Sequence, residues 1–204
     1  MLPDVLVAAF LFSCLALVLL RPVYESKKPR RDKKETASEG LESGAREPLI
    51  ILSAVLVVVF YLEMASYVVL VLVGLLPVLA GSYAQLRFPL DSLVQGFGFA
   101  MMIFGGVIVF LGLRALKYGK LVTFGPYYYV RHPQYLGYFI VFAGFFLLLL
   151  NLIALAPLLS IPGLVRMATI EEGFLTRRFD GSYLDYERAT GKFFPKIRRP
   201  KRSG

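Results

Sequence analysis

Five apolar stretches dominate this 204-residue chain, at residues 5–20, 49–80, 93–113, 134–150 and 152–165. About 20 consecutive apolar residues are what the hydrocarbon core of a bilayer asks of a helix. In lipid every backbone polar group must be satisfied within the protein, and unbroken rather than alternating apolar runs select helices over a barrel. The hydrophobic fraction is 57%, above the roughly 45–50% of soluble domains. The expected fold is an all-α integral membrane protein with five transmembrane segments in a single membrane domain, 1–204.

Charge sets the expected orientation. Asp4 flanks the first run and no basic residue precedes it, whereas "RPVYESKKPRRDKK" follows it. That order reads as an anchor with its N-terminus outside rather than a cleaved signal. Cys14 near its middle reads as a buried thiol. Residues 21–47 are rich in Ser, Gly, Glu and Lys without apolar periodicity, and read as a flexible cytosolic linker. The run 49–80 is long enough to be one tilted helix or a hairpin of two short ones. Taken as one helix, it leaves every Lys and Arg except Arg87 in cytosolic segments. The positive-inside bias therefore favours one helix, with the 114–132 loop and the C-terminal tail both cytosolic. Runs 134–150 and 152–165, divided by Asn151, form the expected helical hairpin in the C-terminal half. Pro157 and Pro162 punctuate its second arm.

Two polar features lie inside these runs. Gly98, Gly105 and Gly112 recur at seven-residue spacing, a smooth face that lets a neighbouring helix approach closely. "GFGFA" within that run is no dinucleotide fingerprint, because no strand precedes it. Glu63 is an acid deep in the second run, read as a polar contact to another span.

The chemistry concentrates where the runs meet the cytosol. The loop "LVTFGPYYYVRHPQYLGY" supplies Lys120, Tyr127, Arg131, His132 and Tyr135, and the tail "EEGFLTRRFDGSYLDYERATGKFFP" supplies Glu171, Glu172, Tyr183 and Tyr186. Alone, each has a plain reading. Arg166 at a membrane boundary snorkels to headgroups, a lone Glu is a solvated helix residue, and Tyr127 to Tyr129 form an interfacial belt. Together they make a polar wall at the mouth of an apolar hairpin. One His and one Cys do not make a zinc site, so no metal is expected, and no nucleic acid partner either.

Both segments, in this order, resemble the isoprenylcysteine carboxyl methyltransferase and phospholipid methyltransferase superfamily, over about Gly119 to Pro195. The resemblance implies a methyltransferase core at 114–204 that binds S-adenosylmethionine without a Rossmann domain. It implies contacts to that cofactor from Lys120, Leu121, Val122, Tyr127, His132, Pro133, Gln134, Tyr135 and Glu171. Members acting on prenylcysteine place a substrate-facing arginine just before the Glu pair. By position that residue is Met167 here, with Arg166 beside it, and Arg166 and Glu171 are the implied catalytic pair. The implied acceptor is a lipid-like or prenylated molecule from the bilayer, with isoprenylcysteine carboxylate O-methylation preferred. Alternatives are N-methylation of a phosphatidylethanolamine-like headgroup, an NADPH-dependent sterol-reductase-like reaction, and non-catalytic lipid binding. The expected location is a multi-pass position in the plasma membrane of a prokaryote or the endoplasmic reticulum of a eukaryote, with the active site facing the cytosol.

Overall fold

The computed structural model describes residues 6–13, 47–73, 90–116 and 120–196. Its elements are helices: α1 at 6–13, α2 Pro48–Leu72, α3 Asp91–Ala115, α4 Pro133–Leu149, α5 Ala156–Leu159, α6 Ile161–Phe179 and α7 Gly181–Ala189. Short 3-10 turns occupy Gly125–Tyr128 and Ile153–Leu155. Among the described residues the extended pairing is a single parallel bridge between Val130 and Gly191.

Three helical stretches are long and apolar enough to cross a membrane: Pro48–Leu72, Asp91–Ala115 and the run Ile153–Phe179. α4 is apolar but shorter, at 17 residues, or about 26 Å of helix. Within the second apolar run, α2 is unbroken from Pro48 to Leu72, as one long helix rather than a hairpin requires. Residues 74–80 lie outside the described residues, as do 14–46, which include Cys14 and all of the linker except its last residue, Glu47.

The second hairpin arm differs from its sequence reading. It is not a short segment ending near Val165: the helical run continues through Arg166 and the Glu pair to Phe179. Pro157 and Pro162 look like breakers, yet each sits in the first turn of its helix, α5 and α6. Proline is tolerated there because the missing N–H has no intrahelical partner to lose. Pro48 and Pro133 open α2 and α4 in the same way. The consequence for the site is direct, since Glu171 and Glu172 ride on the same helical run as the apolar second arm.

The glycine stripe does what its spacing predicts. A Cβ on Gly98 would lie 2.7 Å from Gly144 O, and one on Gly105 would lie 2.7 Å from Gly137 O. α3 and α4 therefore touch at backbone level, and Gly112 continues the seam to Gln134 at the edge of the site. Gly144→Ala should cost about 1–3 kcal/mol, because rigid backbone rather than a yielding side chain meets the new methyl. The expected readout is a lower unfolding temperature in detergent. Gly106→Ala, where nothing lies within 4 Å, is the control. Equal stability of both variants would remove the seam from this account.

A second seam joins α2 to α6 along Ser160, Gly163 and Arg166, one ridge of i, i+3 positions. Ser53 donates to Ser160 O at 2.9 Å. A Cβ on Gly163 would lie 2.5 Å from Leu49 O. Arg166 closes the seam on Glu47. Between the seams, Phe60 of α2 meets Phe142 and Phe145 of α4 edge-on, at 5.2 and 4.8 Å. Glu63 is buried one turn further on. Asn151 is its polar neighbour, short of hydrogen-bond geometry, so both carboxylate oxygens lack a formed bond. Asn151 instead closes the hairpin turn, accepting from Ala154 N at 2.7 Å, just after Leu150 enters the left-handed region at φ 49°.

Candidate active site

The end of the 120–132 loop and the tail after α7 run side by side. Arg131 N donates to Gly191 O at 2.8 Å and His132 N to Lys192 O at 3.1 Å. Gly191 permits this crossing, since a Cβ there would collide with Phe194 O. Tyr186 on α7 donates to Tyr127 O at 2.6 Å, and Gln134 Nε2 donates to the Tyr127 hydroxyl at 3.1 Å. Burial pushes the Tyr127 phenol up to about 12, so it stays neutral and can donate as well as accept.

Arg131 is the bolt of this junction. Its side chain is 8% exposed. Nε donates to Glu172 Oε1 at 2.9 Å, and Nη1 donates to Glu187 O at 3.0 Å and Thr190 O at 2.6 Å. The guanidinium thus satisfies carbonyls that the C-terminal end of α7 leaves open. Lys192 Nζ reaches the other oxygen of Glu172 at 2.9 Å and Thr169 Oγ1 at 2.8 Å.

The two adjacent acids consequently have different surroundings. Glu172 is 13% exposed and faces Arg131, Lys192 and His132 Nε2, the last at 3.2 Å. Glu171 is 46% exposed, with His132 Nδ1 3.7 Å from Oε2. Tyr135 donates to its other oxygen at 2.6 Å. Glu172 is bound into the scaffold, and Glu171 keeps an open carboxylate. Around it stand aromatic rings: His132 lies 5.6 Å from Tyr135 and 5.9 Å from Phe193, which also meets Phe139 at 5.2 Å. An open carboxylate beside aromatic faces suits a cation with apolar substituents.

Of the residues implied by the resemblance, Tyr127, His132, Gln134, Tyr135 and Glu171 converge here, with Pro133 buried as the first residue of α4. Lys120 is exposed, Leu121 half-buried and Val122 buried in the segment leading to the 3-10 turn that carries Tyr127. Arg166 stands apart, holding Glu47 through Nε at 2.8 Å and Nη2 at 2.7 Å. The sequence reading underweighted Glu172 and did not single out Thr190, Lys192 or Phe193. The one available signal was opposite charge in the two motif segments, Arg131 in the first and Glu172 in the second.

Residues 93–173 match the model of the isoprenylcysteine carboxyl methyltransferase family, which bears out the resemblance drawn from the loop and the Glu pair. The nickel-cobalt-cadmium resistance protein NccN of Alcaligenes xylosoxydans xylosoxydans is 33% identical over 105 residues, or 49% of this chain. The chain spans 47% of that relative's length, about half. No solved structure matches the chain. Lys192 and Phe193, which close the site from the tail, lie beyond the matched segment.

Proposed function

We propose that this chain transfers a methyl group from S-adenosylmethionine to a lipid-borne acceptor at the cytosolic boundary of a membrane. In this reading it crosses the bilayer five times with its N-terminus outside. The observation that carries the proposal is the open carboxylate of Glu171 in an aromatic setting, on the helix that leaves the apolar layer. The family match over 93–173 supports the reaction class.

The cofactor, when bound, supplies an electrophilic methyl on a sulfonium, so no covalent help from the protein is needed. What the chain must do is hold, align and dry the partners. Glu171 offers negative charge to the sulfonium, and the Tyr135 hydroxyl fixes that carboxylate from the α4 side. His132, Tyr135 and Phe193 exclude water with their rings. Arg131 and Glu172 keep the loop and tail closed around them. A polar donor reaches this boundary from the cytosol and a lipid acceptor from the bilayer. In this reading the chain sits as a multi-pass protein in the plasma membrane of a prokaryote or the endoplasmic reticulum of a eukaryote, with the site facing the cytosol.

The purified protein in detergent should bind S-adenosylhomocysteine by calorimetry and leave NADPH unbound. Binding of NADPH in preference would install the sterol-reductase-like alternative, and binding of neither would favour a non-catalytic lipid protein.

A further inference from the structure

We propose that His132 carries a proton in the cofactor-free protein and gives it up when S-adenosylmethionine binds, so that the place beside Glu171 holds one positive charge at a time. This rests on the methyl-transfer reading. Both ring nitrogens of His132 face carboxylates on successive residues of α6. Nε2 lies 3.2 Å from Glu172 Oε1, and Nδ1 lies 3.7 Å from Glu171 Oε2. A neutral imidazole has one N–H and one lone pair. In either tautomer, then, the lone pair points at a carboxylate oxygen, and only the imidazolium presents an N–H to each acid. Burial works against that charge, since the side chain is 5% exposed, but a carboxylate on each side offsets it. The ring's placement is fixed from outside. The His132 backbone N–H donates to Lys192 O at 3.1 Å, and the rings of Tyr135 and Phe193 flank it at 5.6 and 5.9 Å.

The other charged and titratable groups around the imidazole are placed differently. Arg131, its chain neighbour, and Lys192 on the tail are both bound to Glu172. Glu187 of α7 reaches Arg131 Nη2 at 3.3 Å. Tyr135 of α4 gives its hydroxyl hydrogen to Glu171. Lys120 and Lys196 are exposed, where solvent and salt screen them. Among the described residues, the ion pair at Glu171 is the one with His132.

His132 and a sulfonium are therefore rivals for one carboxylate. The sulfonium charge is fixed, whereas His132 can lose its own. With a cation seated at Glu171, the Nδ1 proton passes to solvent, and the Nε2 hydrogen stays on Glu172. Nδ1 is then left with a lone pair facing the new positive charge, which favours it. Methyl transfer leaves the electron pair of the broken carbon–sulfur bond on sulfur, so the sulfur becomes neutral. His132 retakes a proton from solvent and restores its pair with Glu171, a step that favours release of the spent cofactor.

The chain contains one histidine, so isotope-labelled histidine in the tag-free full chain gives a single imidazole signal in detergent. Its nitrogen shifts separate imidazolium from the neutral ring. At about pH 7, within the range where histidine changes charge, the free protein should show imidazolium. Saturating S-adenosylmethionine should convert it to the neutral ring with hydrogen on Nε2, and S-adenosylhomocysteine should leave it charged. Linkage fixes the sign of the second measurement. The free form holds a proton that the bound form lacks, so calorimetric affinity for S-adenosylmethionine should rise with pH, by up to about tenfold per unit, and then level. His132→Gln keeps a donor for Glu172 and removes the titration, so its profile should be flat. A profile that persists in His132→Gln would belong to Glu171 and would overturn the proposal. So would a neutral ring in the free protein, or an imidazolium that survives S-adenosylmethionine binding, and both outcomes leave methyl transfer standing. The spectrum needs no variant, so a misfolded His132→Gln would not shield the proposal. Failure of the wild-type protein to bind S-adenosylmethionine at any pH would remove both readings.

Discussion

Glu171→Gln is expected to weaken S-adenosylmethionine binding by roughly 10- to 150-fold, the equivalent of about 1.5–3 kcal/mol for a lost charge-assisted contact. The isosteric amide keeps the shape and can still accept from the Tyr135 hydroxyl, which the native carboxylate oxygen meets at 2.6 Å. Only the negative charge is removed. S-adenosylhomocysteine lacks the sulfonium charge, so its affinity should fall less, and the ratio of the two losses isolates the electrostatic part. The fold should survive, because Glu171 is 46% exposed, with His132 Nδ1 at 3.7 Å, whereas Arg131 and Lys192 are spent on Glu172. Calorimetry on both ligands, with an unfolding scan in detergent, decides the matter. Equal affinity of wild type and variant for S-adenosylmethionine would remove Glu171 from the site.

Much of this arrangement was legible in the sequence, for identifiable reasons. Apolar length marked the three helical stretches that are long enough to cross a membrane, because lipid imposes that length on a helix. The seven-residue glycine spacing marked the α3–α4 seam, since Gly98, Gly105 and Gly112 fall on one face by helical period alone. Motif order brought the 131–135 segment and Glu171 together, as the hydrogen bond from Tyr135 shows. What stayed hidden depended on tertiary contact. Pro157 and Pro162 could be read as breakers or as helix starters, and only packing chose the second. Glu171 and Glu172 are identical in type and adjacent, so no local pattern could say which would be spent on Arg131 and Lys192. Arg166 lies five residues before Glu171, yet it is spent on Glu47 at the start of α2, a contact that no local pattern announced. Residues 190–193 carried no charge pattern that pointed to a backbone pairing with Arg131 and His132.

Arg131→Leu should be the most damaging single change outside the apolar core, and it should act on the tail before the rest of the fold. The guanidinium is nearly buried and serves Glu172, Glu187 O and Thr190 O at once. Removing one partner of a buried, hydrogen-bonded pair typically costs about 3–5 kcal/mol, because the remaining charge is left desolvated. Lys192 stays beside Glu172 and softens that penalty, but it cannot replace the bonds to the α7 carbonyls. Arg131→Lys keeps a charge and loses the fork, so it should fall between wild type and Leu. Two measurements separate this from general destabilisation. Unfolding in detergent gives the size of the loss. Limited trypsin digestion gives its location, with Lys192 cleaved early once the tail no longer pairs with the loop. A cycle with Glu172→Gln completes the argument: with the carboxylate neutralised, Arg131→Leu should cost less than it does alone. Full additivity of the two changes, or a tail that stays protected in Arg131→Leu, would mean that the tail is held by Phe193 packing and the Gly191 bridge, and not by this guanidinium.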